Sequence, residues 1–274
     1  MHGGGRIRSG IGGWNFEPWE GTFYPDDLPK KRQLEYAAGK LATIEVNATY
    51  YRGQKPETFA RWAAETPEDF IFAIKGNRFV TNRKVLAEAG PSLDKFFAQG
   101  IEELGSKLGP LVWQFANSKK FDPEDFEGFL HLLPDTHQGL TLRHVLEVRH
   151  PSFIDPDFVA LARRHNAAIC YAHHHDYPEI ADVTADFVYA RLQKGEDSVP
   201  TAYSKPDLRA WAARTAAWAA GGEPDDLPRA APEQKPPKTP RDVFLYIIHE
   251  GKVRAPQGAM ALQENVHALA SEDE

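Results

Sequence analysis

The sequence predicts an α/β protein folded as a single (β/α)8 barrel of the TIM type, and three observations lead to this fold class. Eight short apolar runs recur along the 274 residues. Helical patterns fill most of the gaps between these runs, and proline often stands near the start of a helix, where its fixed backbone angle is tolerated. Strands that alternate with helices pair in parallel, and eight such repeats suit a closed barrel.

Each predicted strand is an apolar run of the length typical of buried strands. The eight runs are Arg6–Gly12, Thr43–Asn47, Phe70–Lys75, Leu111–Phe115, His144–Arg149, Ala168–Ala172, Phe187–Leu192 and Val243–Ile248. The helical patterns are Leu34–Leu41, Pro56–Glu65, Leu93–Leu108, Pro123–Leu133, Pro156–His165, Pro206–Ala220 and Ala259–Ala270. The gap between the sixth and seventh runs is too short for a full helix, so we expect one degenerate crossover. An open doubly wound sheet is disfavoured because no G-x-G-x-x-G turn follows the first strand.

One barrel domain is expected to span residues 1–274. Gly221–Arg241 carries six prolines and few apolar residues, a composition typical of an exposed loop before the last strand. A segment that binds a partner through its prolines is the alternative for this stretch. Residues 1–5 and 271–274 are expected to be flexible.

Composition restricts the classes of function. Hydrophobic residues make up 42% and charged residues 26%, which are ordinary globular values. The net charge of −7 gives no general attraction to nucleic acid, so such binding would need a local basic patch. The single cysteine, Cys170, fits a reducing compartment, and no stretch approaches membrane-spanning length. We therefore expect a cytoplasmic protein with no membrane partner.

Charged and polar side chains share one face of several predicted strands. Side chains alternate in direction along a strand, so Glu147 and Arg149 lie opposite Leu146 and Val148. In a parallel barrel, the less bulky face points to the interior and the carboxyl ends of the strands meet at one mouth, where active sites lie. Alternation brings the same kinds of side chain to this mouth on other strands: Glu45, Asn47, Lys75, Gln114, Tyr189 and Arg191.

These residue types in one pocket indicate acid–base chemistry on an anion. Glu45, Lys75 and Glu147 are the candidate catalytic residues, with the two carboxylates as acid or base. Lysine and arginine hold anions, arginine with two-point geometry, and the predicted ligand-binding residues are Trp14, Asn47, Tyr51, Gln114, Arg149, Tyr189 and Arg191. Lys75 is alternatively a Schiff-base lysine. Ion pairs that only fill the barrel mouth are the structural alternative, although buried pairs stabilise poorly compared with apolar packing.

A histidine run follows the sixth strand and raises the question of a metal. His173–Asp176 reads HHHD, and Glu147 is a possible further ligand. Consecutive residues of an extended chain point alternately, so three neighbouring histidines do not easily share one ion. We predict no cofactor and keep a metal site as the weaker alternative.

Six motifs in order resemble those of the YecE-like family, domain-of-unknown-function family 72. They are GGWNFEPWEGTFYP, IEVNATYYR, FIFAIKGNRFVTN, LGPLVWQF, LEVRHPSF and ADFVYARL, and the match runs from about Arg8 to about Glu264. The resemblance implies a TIM-type barrel without an established reaction. It maps family motifs onto Trp14, Trp19, Glu45, Asn47, Tyr51, Lys75, Gln114, Glu147, Arg149 and Arg191. The chain departs from the pattern at Asn82, Gln193, His249 and Glu250, which puts any mechanism that needs those family side chains in doubt.

Three hypotheses for function follow. The first is an enzyme that acts on a small anionic or phosphorylated ligand at the barrel mouth. The second is a nucleic-acid-processing barrel similar to the endonuclease IV-like group, which phosphate-binding cations and rim aromatics favour but the acidic net charge opposes. The third is a non-catalytic ligand-binding barrel. The oligomeric state does not follow from the sequence.

Overall fold

Eight parallel strands form a barrel in the computed structural model, which describes residues 5–272. The strands are β1 (Ile7–Gly12), β2 (Thr43–Val46), β3 (Ile71–Lys75), β4 (Leu108–Gln114), β5 (His144–Glu147), β6 (Ala168–Ile169 and Tyr171–His173), β7 (Phe187–Lys194) and β8 (Asp242–Glu250). The first part of β6 pairs with β5 and the second part pairs with β7, while β8 pairs with β1. Because only Cys170 separates the two parts of β6, this strand joins β5 to β7 and the sheet closes into a barrel. The predicted fold class is confirmed.

The helices pack around the outside of the barrel. They are α1 (Gln33–Ala38), α2 (Ala48–Tyr51), α3 (Pro56–Ala64), α4 (Arg78–Thr81), α5 (Gly90–Phe97), α6 (Pro123–Leu132), α7 (Pro156–Arg164), α8 (Lys205–Ala219) and α9 (Ala255–Glu272). Within the described chain no helix connects β6 to β7, where residues 174–186 form an irregular loop, so the degenerate crossover is confirmed.

Two features of the helices differ from the sequence prediction. The single helix predicted for Leu93–Leu108 is wrong: α5 ends at Phe97 and a separate 3-10 segment, Ile101–Lys107, follows. Gly100, at φ +87°, separates the two segments because this left-handed angle is incompatible with a continuing helix. The short helices α2 and α4 were not predicted. Asn77 caps α4 by accepting a hydrogen bond from the Phe79 amide.

Side chains sort onto two faces of the barrel wall, as strand alternation predicts. The inward faces form a separate buried cluster that includes Ala73, Val112, Val145, Cys170, Tyr189, Phe244 and Tyr246. The outward faces pack with the helices in the larger core, which includes Ile44, Ile74, Trp113, Leu146 and Leu192. The interior is therefore a packed core whose upper layer, at the carboxyl ends of the strands, carries the polar groups.

The proline-rich stretch 221–241 contains neither helix nor strand. Its residues 232–240 are largely exposed, but the part before them packs against the loop that precedes β7. There the Asp182 carboxylate accepts hydrogen bonds from the amides of Ala230 and Ala231, and Leu227 is buried. The stretch is thus exposed over its second half and held to the barrel over its first.

The chain ends are described only in part. Residues 1–5 and 271–274 are predicted to be flexible. Of these, residues 1–4 and 273–274 lie outside the described residues. Gly5 donates its amide to the Ala219 carbonyl, and residues 271–272 belong to α9. Within residues 5–272, no helix combines the length and the hydropathy needed to cross a membrane.

Candidate active site at the barrel mouth

Arg191 of β7 connects two buried glutamates across the interior of the barrel. Its Nη1 donates to Glu147 Oε1 on β5 at 2.6 Å, and its Nη2 donates to Glu45 Oε1 on β2 at 3.2 Å. Its Nε lies 3.1 Å from Glu45 Oε2, within ion-pair distance, at an angle that makes no hydrogen bond. Both glutamates have 0% exposure, so these charges neutralise one another away from water.

The Glu147 carboxylate receives donors from three side chains. Gln114 Nε2 donates at 2.8 Å, and Arg149 donates from Nε at 3.1 Å and from Nη2 at 2.8 Å, in addition to Arg191. Burial alone would raise the pKa of Glu147, but Arg191 and then Arg149 outweigh it and hold that pKa well below its usual range. Glu147 is therefore an ionised carboxylate whose oxygens are already engaged.

Glu45 accepts a hydrogen bond from a second side chain in addition to Arg191. The Tyr189 hydroxyl donates to Glu45 Oε2 at 2.6 Å. Burial, and then the nearby Glu45 charge, raise the pKa of Tyr189 well above its ordinary value, so the phenol keeps its proton. Tyr189 thus holds the Glu45 carboxylate in place through a hydrogen bond.

Lys75 differs from the two arginines because its amine is not joined to a carboxylate. The ion pairs of the mouth link arginine to glutamate, and none within residues 5–272 includes Lys75. Its Nζ lies 4.8 Å from the ring centre of Tyr50, and only 7% of the residue is exposed. Burial, followed by the like charge of Arg191, lowers the pKa of Lys75 to about 8.

The loop after β6 covers one side of the mouth. The Arg149 guanidinium lies 4.5 Å from the ring centre of Tyr177, which stacks on His174 at 3.8 Å. Of the other two histidines of the HHHD run, His173 packs against Trp211, and His175 lies 3.4 Å from a Glu250 carboxylate oxygen. The three rings diverge, which is the behaviour that consecutive positions predict.

A cavity of about 1050 Å³ opens on the other side of the mouth. It begins at the carboxyl ends of β1, β2, β7 and β8 and extends outward to α1 and α3. Four predicted ligand-binding residues line it: Trp14, Asn47, Tyr51 and Arg191. The other predicted site residues are not part of this lining: Glu45, Lys75, Gln114, Glu147, Arg149 and Tyr189. Arg191 is therefore the residue common to the cavity and the buried charge network.

Sequence reasoning missed most of the cations around this cavity. Its charged lining consists of Lys30, Lys31, Arg52, Arg61, Glu65, Arg191 and Lys252. Lys30 pairs with Glu20 at 3.1 Å, and Arg61 lies 3.9 Å from Glu65. No periodic signal marks these residues, because they lie in loops and on helix surfaces whose position depends on the whole fold. The Lys30-Lys31 pair before α1 is a local hint, and Arg52 ends the motif IEVNATYYR.

The departures from the family pattern occupy different places. Gln193 is 1% exposed, and neither atom of its side-chain amide has a hydrogen-bond partner among the described residues. His249 lines the cavity with a left-handed backbone, at φ +73°. Asn82 is exposed at the end of α4, and Glu250 is exposed at the end of β8. Gln193 is therefore buried, whereas His249, Asn82 and Glu250 are exposed, and of these three His249 lines the cavity.

A group with metal-ligand chemistry lies elsewhere, on the outer surface between α6 and α7. Ligand atoms of Glu127, His131 and His165 lie within 4.8 Å of one another. These residue types suit zinc, but Arg164 already binds the Glu127 carboxylate at 3.1 Å. The sequence analysis did not single out this group.

Comparisons with known proteins match the chain to a family and to a fold. The model of the family described as "Protein of unknown function DUF72" matches residues 8–273. The UPF0759 protein YecE of Escherichia coli K12 is 28% identical over 120 residues, which cover 44% of this chain and 42% of that protein. The match thus spans less than half the length of this curated relative.

Solved structures agree on the architecture. A DUF72 family protein of Thermotoga maritima superposes with a TM-score of 0.69 at 20% identity, covering 97% of this chain and 99% of that one. A xylose isomerase-like TIM barrel/4-hydroxyphenylpyruvate dioxygenase fusion protein superposes with a TM-score of 0.51 at 13% identity, covering 99% of this chain and 45% of that one. At such identities the likeness concerns the fold alone.

Proposed function

The chain belongs to the DUF72 family of proteins of unknown function, and we propose that its barrel mouth binds and acts on a small anionic, phosphorylated ligand. The excess of cations around the cavity supports this proposal. Six of the seven charged residues that line it are lysine or arginine, on a chain whose net charge is −7. A local positive potential against the overall charge favours the entry of anions.

Three rim cations are best placed to bind phosphate. Lys31, Arg52 and Lys252 line the cavity, and no salt bridge within residues 5–272 includes them. Lys252 Nζ lies 4.1 Å from the ring centre of Phe16, and burial lowers the pKa of this amine. The side-chain amide of Asn47 and the rings of Trp14 and Tyr51 add polar and apolar contacts for the rest of a ligand.

The roles proposed for the glutamates follow from their contacts. Glu45 and Glu147 hold Arg191 and Arg149 in place, and the low pKa of Glu147 makes it a poor proton donor near neutral pH. Lys75 does not line the cavity, but it lies near Arg191, which does, and its amine has no carboxylate partner among the described residues. It is therefore the better candidate for contact with a ligand that reaches past Arg191. Acid–base chemistry by the two carboxylates themselves is the less favoured form of the proposal.

Ligand-induced stabilisation tests the proposal. Inorganic phosphate, pyrophosphate, sugar phosphates and nucleotides would be screened by thermal shift, since a ligand that binds the folded state raises Tm. We expect at least one phosphorylated compound to raise Tm, and raised salt to weaken the effect. Replacement Arg52→Ala should weaken binding about tenfold, the effect of losing roughly 1.4 kcal/mol.

Arg209→Ala is the matched control because Arg209 is exposed on α8, away from the cavity. It should bind the same compound as tightly as the unmodified chain. Equal losses in both variants would mean that net charge, and not the cavity, governs binding. No shift with any phosphorylated compound at low salt would overturn the proposal. Turnover of the bound compound then separates an enzyme from a ligand-binding barrel.

A second candidate function is the binding of nucleic acid, which two exposed aromatic side chains favour. Tyr51 and Phe79 are each 63% exposed, and they lie in α2 and α4, the helices that follow β2 and β3 at the mouth. Exposed rings beside cations suit the stacking of unpaired bases. Fluorescence anisotropy with abasic or nicked duplex at low salt tests this, and binding that survives in Tyr51→Ala would argue against stacking.

A further inference from the structure

We infer that Lys75 forms a covalent imine with a carbonyl group of the ligand, so that the substrate class is a phosphorylated aldehyde or ketone. This inference rests on the proposed function and deepens it. Its starting point is the position of Lys75 at the carboxyl end of β3, on the inward face, with the amine outside every arginine–glutamate pair of the mouth.

The surroundings of Lys75 suit a nucleophilic amine. The Tyr50 ring lies 4.8 Å from Nζ, and Arg191 and Arg149 are the neighbouring cations. Each arginine is held on a glutamate, so neither glutamate is left to fix the Lys75 ammonium by direct contact. Burial and then the like charge of Arg191 favour loss of the Lys75 proton more than the carboxylates of Glu147 and Glu45 oppose it, which makes the amine reactive near neutral pH.

The covalent step conserves charge within the site. The ammonium gives one proton to solvent, and the neutral nitrogen attacks the carbonyl carbon, which forms a C–N bond and moves the π electrons to oxygen. The nitrogen passes one of its protons to this oxygen, which gives a carbinolamine. The hydroxyl takes up one proton from solvent and departs as water, which leaves a protonated imine. Since one positive charge on Lys75 is replaced by another, the carboxylates of Glu45 and Glu147 stabilise product and reactant alike.

Reductive trapping tests the inference. The chain would be incubated with glyceraldehyde 3-phosphate or dihydroxyacetone phosphate and cyanoborohydride, which reduces an imine to a stable secondary amine. Peptide mass spectrometry should locate the adduct on Lys75, with at least tenfold higher occupancy than on the exposed Lys40 of the same sample. Lys75→Arg should lose this adduct and still bind glycerol 3-phosphate, which has no carbonyl group.

Two further outcomes separate this inference from the proposed function. If both glycerol 3-phosphate and the carbonyl phosphates bind in the cavity but no adduct forms on Lys75, the imine is wrong and the anion site stands. If no phosphate compound binds, the proposed function fails, and formaldehyde with cyanoborohydride decides the reactivity of the amine alone. Methylation of Lys75 at pH 7.5 no faster than that of Lys40 would then overturn the inference.

Discussion

The guanidinium of Arg191 donates to the Glu147 carboxylate at 2.6 Å, between residues that are 44 positions apart in the chain. The same guanidinium contacts Glu45, 146 positions away. Burial removes these charges from water, so their mutual contacts compensate for lost hydration. The network therefore matters for the stability of the fold.

Removing the charge of Glu147 should destabilise the fold. In Glu147→Gln, the two buried or half-buried arginines lose their shared carboxylate, and breaking a buried pair costs about 3–5 kcal/mol. Urea unfolding at pH 7 would measure the loss. Glu127→Gln is the control, because its pair with Arg164 lies at the surface and should contribute no more than about 1 kcal/mol. Equal midpoints for Glu147→Gln and the unmodified chain would contradict the prediction.

Lys75→Met should stabilise the fold at pH 7, because burial of the charged amine destabilises the folded state. Since the folded pKa is about 8 and the ordinary value is 10.5, the unfolded chain binds more protons between these values. The unfolding free energy of the unmodified chain therefore rises from about pH 8 to pH 10.5. The unfolding free energy of Lys75→Met should exceed it by roughly 1–3 kcal/mol at pH 7, and this difference should shrink as the pH rises.

Unfolding free energies of both chains at pH 7 and pH 9.5 check this expectation. Lys107→Met serves as a contrast, because the Lys107 amine donates to the carbonyls of Ala63 and Thr66 at 2.5 and 2.6 Å. That variant should be less stable than the unmodified chain. A difference between Lys75→Met and the unmodified chain that stays constant from pH 7 to pH 9.5 would show that the amine titrates normally.

His144 should carry its proton on Nε2 and should become doubly protonated only below its ordinary pKa. Trp113 Nε1 donates to His144 Nδ1 at 3.1 Å, so Nε2 carries the hydrogen that reaches the Pro134 carbonyl at 2.8 Å. Burial lowers the pKa of His144 below its ordinary 6.5. Its contribution to stability is therefore complete above the unfolded pKa and is lost as pH falls toward the folded value.

Nitrogen chemical shifts of the imidazole give the direct measurement for His144. The signals would be assigned by their absence in His144→Gln. Two distinct ring nitrogens at pH 7, one protonated and one not, are the expected result, with double protonation only below the ordinary pKa of 6.5. A spectrum typical of a doubly protonated ring at that pH would refute the assignment of the tautomer.

Gly10→Ala should weaken the pairing of β1 with β2. A Cβ on Gly10 would lie 2.1 Å from the Thr43 carbonyl oxygen, a backbone atom that cannot rotate away. Overpacking of this kind costs about 1–3 kcal/mol. Gly39→Ala is the control: at Gly39, which follows α1 with φ −75°, a Cβ would make only ordinary contacts of 3.5 Å, and the change should stabilise by about 0.4–1 kcal/mol. Thermal unfolding of both variants measures the contrast, and equal effects would contradict it.

The sequence was informative wherever local periodicity decides the structure. Alternation along a strand placed Glu147 and Arg149 on the inward face, where the structure joins them through direct hydrogen bonds. Strand alternation also gave the direction of Lys75. It carried no information on distance, so it did not show that Arg191 would engage both glutamates while Lys75 would engage neither.

The cavity was not predictable by the same reasoning. Lys31 precedes α1, Arg52 follows α2, and Lys252 follows β8, so three separate segments meet around one space. Their meeting depends on how the loops fold back over the barrel, a long-range property without a local pattern. The predicted length of the helix Leu93–Leu108 was wrong for a related reason, because the left-handed backbone of Gly100 interrupts the helical pattern.

Arg191 also determines when this chain can complete its fold during synthesis. The first four strands enclose Glu45, whose arginine partner lies in β7. A nascent chain that has emerged only through β4 would have to bury that carboxylate without its counterion, which is costly. Half-barrels of this protein should therefore stay open, and closure should wait until residue 191 has left the ribosome and the eight strands fold as one cooperative unit.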